Sequence, residues 1–231
     1  GIELVTFPTK YPSGGEKQLI EILTGKQVPA GGLPADVGIV CQNVGTVHAV
    51  HRYFRYGEPL TTRVVTITGS AVSAPRNVAA MIGTPVADLI AACGGYHEAP
   101  ARLLQGGSMM GLALPSDRVP VTKATNCIVA STASDSGDEQ TEWPCIRCGE
   151  CSDVCPARLQ PQELVIAARR DDAAALARLS LTECIECGCC DVICPSHIPL
   201  TRAFQRAKPL VVDYSERRAF SEASERRFQL R

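Results

Sequence analysis

The sequence predicts an α/β segment, then a small α+β segment, then a short cysteine-rich helical segment. Three observations carry this. Strand-like and helix-like periods alternate over residues 1–60, β-branched runs clasp one helix over 61–133, and cysteines crowd residues 145–194. At 231 residues, 45% hydrophobic and 5% aromatic, the chain can bury the cores of two or three small domains.

Within 1–60, GGEKQLIEILTG sets Leu19, Ile20, Ile22 and Leu23 at helical spacing, with Gly25 as the expected stop. DVGIVCQN reads as a buried strand running into a polar loop at Gln42 and Asn43. TVHAVHRYFRYG reads as a helix with Thr46 as N-cap, Val47, Val50 and Phe54 on one side, and Gly57 at its end.

RVVTITG is expected as a strand ending at Gly69, and NVAAMI as a second strand after a turn near Pro75. GTPVADLIAACGG predicts a helix with Thr84 as N-cap, Pro85 at its first position and Gly94 past its end. ARLLQGG and VTKATNCIVA read as closing strands, and Gly106, Gly107 and Ser108 as a turn. Strands clasping one helix describe a β-grasp-like domain. SDSGDEQTE, residues 134–142, reads as a polar linker.

Eight of the twelve cysteines form two copies of CxxCxxCxxxCP, at Cys145, Cys148, Cys151 and Cys155 before Pro156, and at Cys184, Cys187, Cys190 and Cys194 before Pro195. The spacing matches the bacterial ferredoxin run, whose first three thiolates hold one 4Fe-4S cluster while the fourth reaches the other. On that pairing Cys145, Cys148, Cys151 and Cys194 hold one cluster, and Cys184, Cys187, Cys190 and Cys155 the second. Proline after the last cysteine fixes φ and turns that loop away from its own cluster. The reading is a ferredoxin-like domain that carries electrons.

A zinc site needs two CxxC pairs, whereas each motif supplies three evenly stepped cysteines and a fourth before proline. A disulfide framework belongs to smaller secreted chains. Cys41, Cys93 and Cys127 lie in apolar contexts and read as buried free thiols. Cys189 competes with Cys190, and the step of three from Cys187 favours Cys190. His48, His51, His97 and His197 show no ligand spacing.

Net charge of -1 argues against nucleic acid as partner, and no apolar run approaches the roughly 18 residues of a membrane span. The chain starts at Gly1 and is expected to be a piece of something longer. PQELVIAARRDDAAALARL reads as a helical spacer between the motifs. From Thr201 on, eight basic residues stand against four acidic ones in a segment of helix formers that Pro209 is expected to interrupt.

Taken in order, KYPSGGEKQLIEILTGKQVP at 10–29, VCQNVGT at 40–46, RYGEPL at 55–60, VTITG with GTPVADLI, and the doubled cysteine motif resemble the C subunit of Rnf-type electron-transport complexes. That family is similar in turn to the FMN-bearing, NADH-oxidising subunit of respiratory complex I. The resemblance implies the end of a partial Rossmann-like FMN/NADH domain over 1–60, a β-grasp (SLBB-like) domain over 61–133, a linker over 134–142, a two-cluster ferredoxin-like domain over 143–210 and a helical tail over 211–231.

It also implies that Tyr11, Gly14, Gly15 and Glu16 approach flavin or nicotinamide, and that Asn43 and Thr46 line the flavin's other side. Glycine lets backbone approach a planar ring, and asparagine offers both donor and acceptor. Gln42 and Gly45 depart from the complex I loop. The family's GxGGxGFP loop is expected upstream of Gly1, so FMN and NADH belong to the full-length protein. The implied setting is peripheral, on the cytoplasmic face of the bacterial inner membrane, beside other subunits of an ion-translocating oxidoreductase, one an iron-sulfur protein. Cobalamin reductases of similar architecture and a non-catalytic metal-stabilised scaffold are the alternatives.

Overall fold

The computed structural model describes residues 1–136 and 141–229 and divides into two compact units, Gly1–Cys41 with Thr141–Arg231, and Gln42–Gln140. Residues 137–140 of the expected linker lie outside the described residues.

In the first unit, helix α1 (Glu16–Thr24) ends on Gly25 at φ 69°, the left-handed conformation that glycine adopts without a Cβ clash. Of its four expected apolar positions only Ile20 is buried, while Ile22 and Leu23 are exposed. The strand expected in DVGIVCQN is absent. Pro34–Val37 forms a 3-10 turn closed by Gly38 at φ 74°, and residues 39–43 join no sheet. All five strands among the described residues lie between 62 and 131, so this apolar run has no ladder to join.

The second unit opens with α2 (Val44–Tyr56). Its N-cap is Asn43 rather than Thr46, because the Asn43 side chain accepts the Gly45 amide at 2.9 Å. Gly57 closes it at φ 68°. Val47, Val50 and Phe54 do share a side, yet all three are exposed.

A mixed sheet follows, formed by β1 (Thr62–Thr68), β2 (Arg76–Met81), β3 (Arg102–Gln105), β4 (Leu112–Ala113) and β5 (Cys127–Ser131), in the order β2-β1-β5-β3-β4. β1 and β5 run parallel and every other pair is antiparallel. Period-two alternation buries Val65 and Ile67 while Val64 faces outward. Helix α3 (Val86–Ala92) presses Val86, Leu89 and Ile90 onto Val65, Ile67 and Ile128. Its N-cap is Pro85, one residue later than expected, and no side chain caps it. A proline there sacrifices no helical bond, since its missing N–H would have had no partner. Cys93 is fully buried, but Cys41 and Cys127 are only half-buried, a correction to the expected trio of buried thiols. The short helix α4 (Ala133–Ser136) ends this unit's described part.

The remainder of the first unit is a helical repeat. It contains α5 (Glu150–Asp153), α6 (Pro161–Arg169), α7 (Ala173–Arg178), α8 (Cys189–Ile193) and α9 (Leu200–Gln229). The expected single spacer helix is split at Asp171, which takes φ 50°. α9 buries Leu200, Phe204, Ala207 and Val211, a stripe at helical spacing, against Leu164, Val165, Leu176 and Leu181. Pro209 does not interrupt it. The residue is exposed, so the Gln205 carbonyl it leaves free can bond to water. Past Val211 the same helix is solvated, with i,i+4 pairs Arg217–Asp213 and Arg218–Glu222.

Candidate metal centres and the flavin half-site

The cysteine motifs are related by a 39-residue repeat that extends to backbone conformation. Arg147, Gly149 and Arg158 take φ 57°, 85° and 54°, and their counterparts Glu186, Gly188 and His197 take 56°, 77° and 51°. A left-handed residue among right-handed ones can turn neighbouring amides to one side, the kind of concavity that binds anions. The side chains repeat too. Gln162 accepts from the Cys151 thiol at 3.4 Å, and Thr201, at the same place in the second copy, lies 3.9 Å from the Cys190 thiol.

These loops enclose two hollows. Cys145, Cys148, Cys151 and Cys194 line one, with Val165 and Ile198. Cys155, Cys184, Cys187 and Cys190 line the other, with Leu159 and Phe204. Cys189 lines the second hollow as well. Amides already point at sulfur, Leu159 N–H at Cys155 and Glu186 N–H at Cys184, each at 3.4 Å. Among the described residues no three Cys, His, Asp or Glu side chains converge as around one ion. An all-thiol donor set, apolar walls and inward amides fit an iron-sulfur cubane.

Burial raises the Cys151, Cys184 and Cys190 thiols above their ordinary range, and Asp191 adds to the effect at Cys190. Cys189 is pushed up to about 11, by burial first and then by Cys187. Burial thus favours the neutral form of these four thiols, and a metal bound by any of them must displace its proton.

The second loop is tied on both sides. Tyr11 Oη donates to the Cys187 carbonyl at 2.7 Å, and Lys208 Nζ to the Cys184 carbonyl at 2.7 Å. Lys208 also pairs with Glu186, and Gln205 donates to the same carboxylate at 3.0 Å. Glu183, next to Cys184, pairs with Lys17 at 3.0 Å and accepts the Gly31 amide at 2.9 Å. Burial alone would raise the Glu183 carboxyl, but Lys17 and that amide hold it below the usual range. Neither Lys208 nor Gln205 was legible as a site residue, since both sit in an ordinary helical stretch. The 39-residue repeat could have singled out Gln162 and Thr201.

The expected flavin residues fall into two groups. Tyr11, Gly14, Gly15 and Glu16 form the turn before α1 and its first residue, in the first unit; Asn43 and Thr46 start α2, in the second. Gly14 has open space where a Cβ would stand, as close approach to a ring requires, whereas Gly15 is crowded by Gln18. The Tyr11 hydroxyl and the Asn43 oxygen are engaged within the protein, leaving the Asn43 amide group as donor.

Three family models match: the Nuo51 FMN-binding domain at residues 1–52, the SLBB domain at 64–113 and the 4Fe-4S dicluster domain at 143–198. Together with the thiol-lined hollows they give the chain the segments of a flavin-linked iron-sulfur protein. The C subunit of the ion-translocating oxidoreductase complex of Pseudomonas aeruginosa is 48% identical over 99% of this chain and 30% of its own length. Its Klebsiella pneumoniae counterpart is 48% identical over 100% and 31%, and that of Rhodobacter capsulatus 50% over 87% and 38%. The chain belongs to this family of C subunits, and it spans about a third of the length of the curated relatives it matches.

Proposed function

We propose that this chain is the electron-relay portion of an ion-translocating oxidoreductase subunit, with two 4Fe-4S clusters held across the repeat. Cys145, Cys148, Cys151 and Cys194 hold one, and Cys184, Cys187, Cys190 and Cys155 the other. The observation that carries this is the grouping of the thiols, each hollow being lined by three cysteines of one motif and the last of the other.

The chain's own residues supply ligands, inward amides and an apolar surround, which set cluster potential and exclude water. Tyr11, Gly14, Gly15 and Glu16, with Asn43 and Thr46, are the flavin-facing residues of the full-length protein. There, FMN supplies the conversion of a two-electron hydride from NADH into single electrons.

The parts are read as the end of a Rossmann-like flavin domain over 1–60, a β-grasp domain over 61–133, a linker over 134–142, a ferredoxin-like domain over 143–210 and a tail over 211–231. The parallel pairing of β1 with β5 around α3 supports the β-grasp reading. Among the described residues no helix is long and apolar enough to cross a membrane. The setting we propose is peripheral, on the cytoplasmic face of the inner membrane, beside other subunits of the complex, one of them an iron-sulfur protein.

The test is anaerobic reduction by NADH, followed by cluster absorbance and low-temperature EPR. The full-length, FMN-loaded protein is expected to show cluster reduction, and residues 1–231 alone are not. NADH reduction of the short chain at the full-length rate would contradict the assignment of the flavin site.

A further inference from the structure

The 39-residue repeat makes the two cluster sites chemically alike, so what differs between them is informative. The first motif's loop is bare. Every residue from 141 to 148 is exposed, including the ligand candidates Cys145 and Cys148, and Ile146 is 68% exposed. In the second copy the counterparts are residues 180–187, of which only Ser180 and Thr182 are exposed; none from 183 to 187 is, and Cys187 is only 7% exposed.

The cover on the second loop comes from this chain itself. Tyr11 reaches the Cys187 carbonyl, Lys17 and Gly31 hold Glu183, and Lys208 with Gln205 holds Cys184 and Glu186. At the first loop the equivalent of Lys208 is Arg169, which pairs outward with Glu142 and makes no bond to the Cys145 carbonyl. What fixes that loop is Ser196, whose hydroxyl donates to Pro144 at 3.0 Å and whose carbonyl accepts from Trp143 at 2.9 Å.

We infer that the two sites have different places in the relay: electrons cross between this chain and an outside one-electron redox protein at the first motif's site, while the second motif's site is internal and communicates with the segment that carries Tyr11. This rests on the two-cluster reading above. Electron exchange falls off steeply with distance, so a centre whose ligand loop is bare can be approached by another protein, and one roofed by its own chain is approached through that roof. One electron leaves the outer centre, which is oxidised, and the partner's centre is reduced by one. No bond forms or breaks and no proton moves.

The test is EPR power saturation of the two reduced clusters in the anaerobically purified full-length protein, with and without a soluble dysprosium chelate, which speeds relaxation of any centre it can approach. The signals are assigned with Cys145→Ala and Cys184→Ala. The expected result is a several-fold gain in relaxation for the cluster that Cys145→Ala removes, and little for the other. Tyr11→Ala combined with Lys208→Met keeps every ligand, and it should bring the protected signal up towards the exposed one. Equal gains in the wild-type protein, or a larger gain on the second motif's cluster, overturn the inference while leaving the two-cluster reading intact. Absence of any cluster signal overturns both.

Discussion

The hydroxyl of Tyr11 donates to the carbonyl of Cys187 at 2.7 Å, joining a residue of the N-terminal turn to a cysteine loop 176 positions away in sequence. Removing the hydroxyl leaves that carbonyl facing the ring edge. Tyr11→Phe is expected to broaden or shift the EPR signal of the second motif's cluster and to leave the first unchanged. A shift in both signals, or in neither, would show that the bond does not act on that loop.

Glu183 predicts a pH dependence. Its carboxyl is held below the ordinary range in the folded chain, so its contribution is present above the unfolded value near 4.5 and is lost as pH falls through the lower folded one. Lys17→Met should remove much of that contribution, so the variant melts somewhat below wild type at neutral pH, by a small margin because the pair is partly solvated, and the two proteins converge as pH falls. Thermal melts of the two proteins across the acid range, from well below that unfolded value up to neutrality, check it.

Tyr96 works at the other extreme. Burial, and then Asp117 3.3 Å from its hydroxyl, push it up to about 12 from an ordinary value of 10. A raised folded value means that its contribution is complete below pH 10 and disappears as pH rises through about 12. Tyr96→Phe should flatten the alkaline limb of stability for the sheet unit.

Gly69 ends β1 at φ 111°, and a Cβ there would strike the backbone of Ala130 in the neighbouring strand. Gly69→Ala costs on the order of 1–2 kcal/mol in conformation alone, and the clash adds to it. The sheet unit should melt well below wild type, whereas Gly83→Ala, also at positive φ but with open space around it, should cost only the conformational part.

Much of this was legible because it depends on local pattern. Period two marked β1, apolar spacing marked α3, and glycines at Gly25, Gly57 and Gly94 marked helix ends, since the left-handed turn is a local need. The doubled cysteine spacing brought out the cysteines that line the hollows because three of those predicted for each come from one short loop. Failures came where distant partners decide. DVGIVCQN has strand composition and no strand to pair with, and Asn43 displaced Thr46 as cap through a single side-chain bond. β4 is only two residues long and exists by its pairing with β3. Tyr11, Lys208 and Glu183 act through contacts between residues far apart in the chain, which no window of sequence displays.

The crossed pairing has its own consequence. Cys155→Ser should weaken the cluster of the second motif, whose first cysteine lies 29 residues downstream. Loss confined to the first motif's signal would refute the crossing.

The central claim is that these eight thiols hold two iron-sulfur clusters, and iron with acid-labile sulfide, measured on anaerobically purified protein, tests it most directly. About eight of each per chain is the predicted result for two 4Fe-4S clusters. Stoichiometric zinc without sulfide would contradict it.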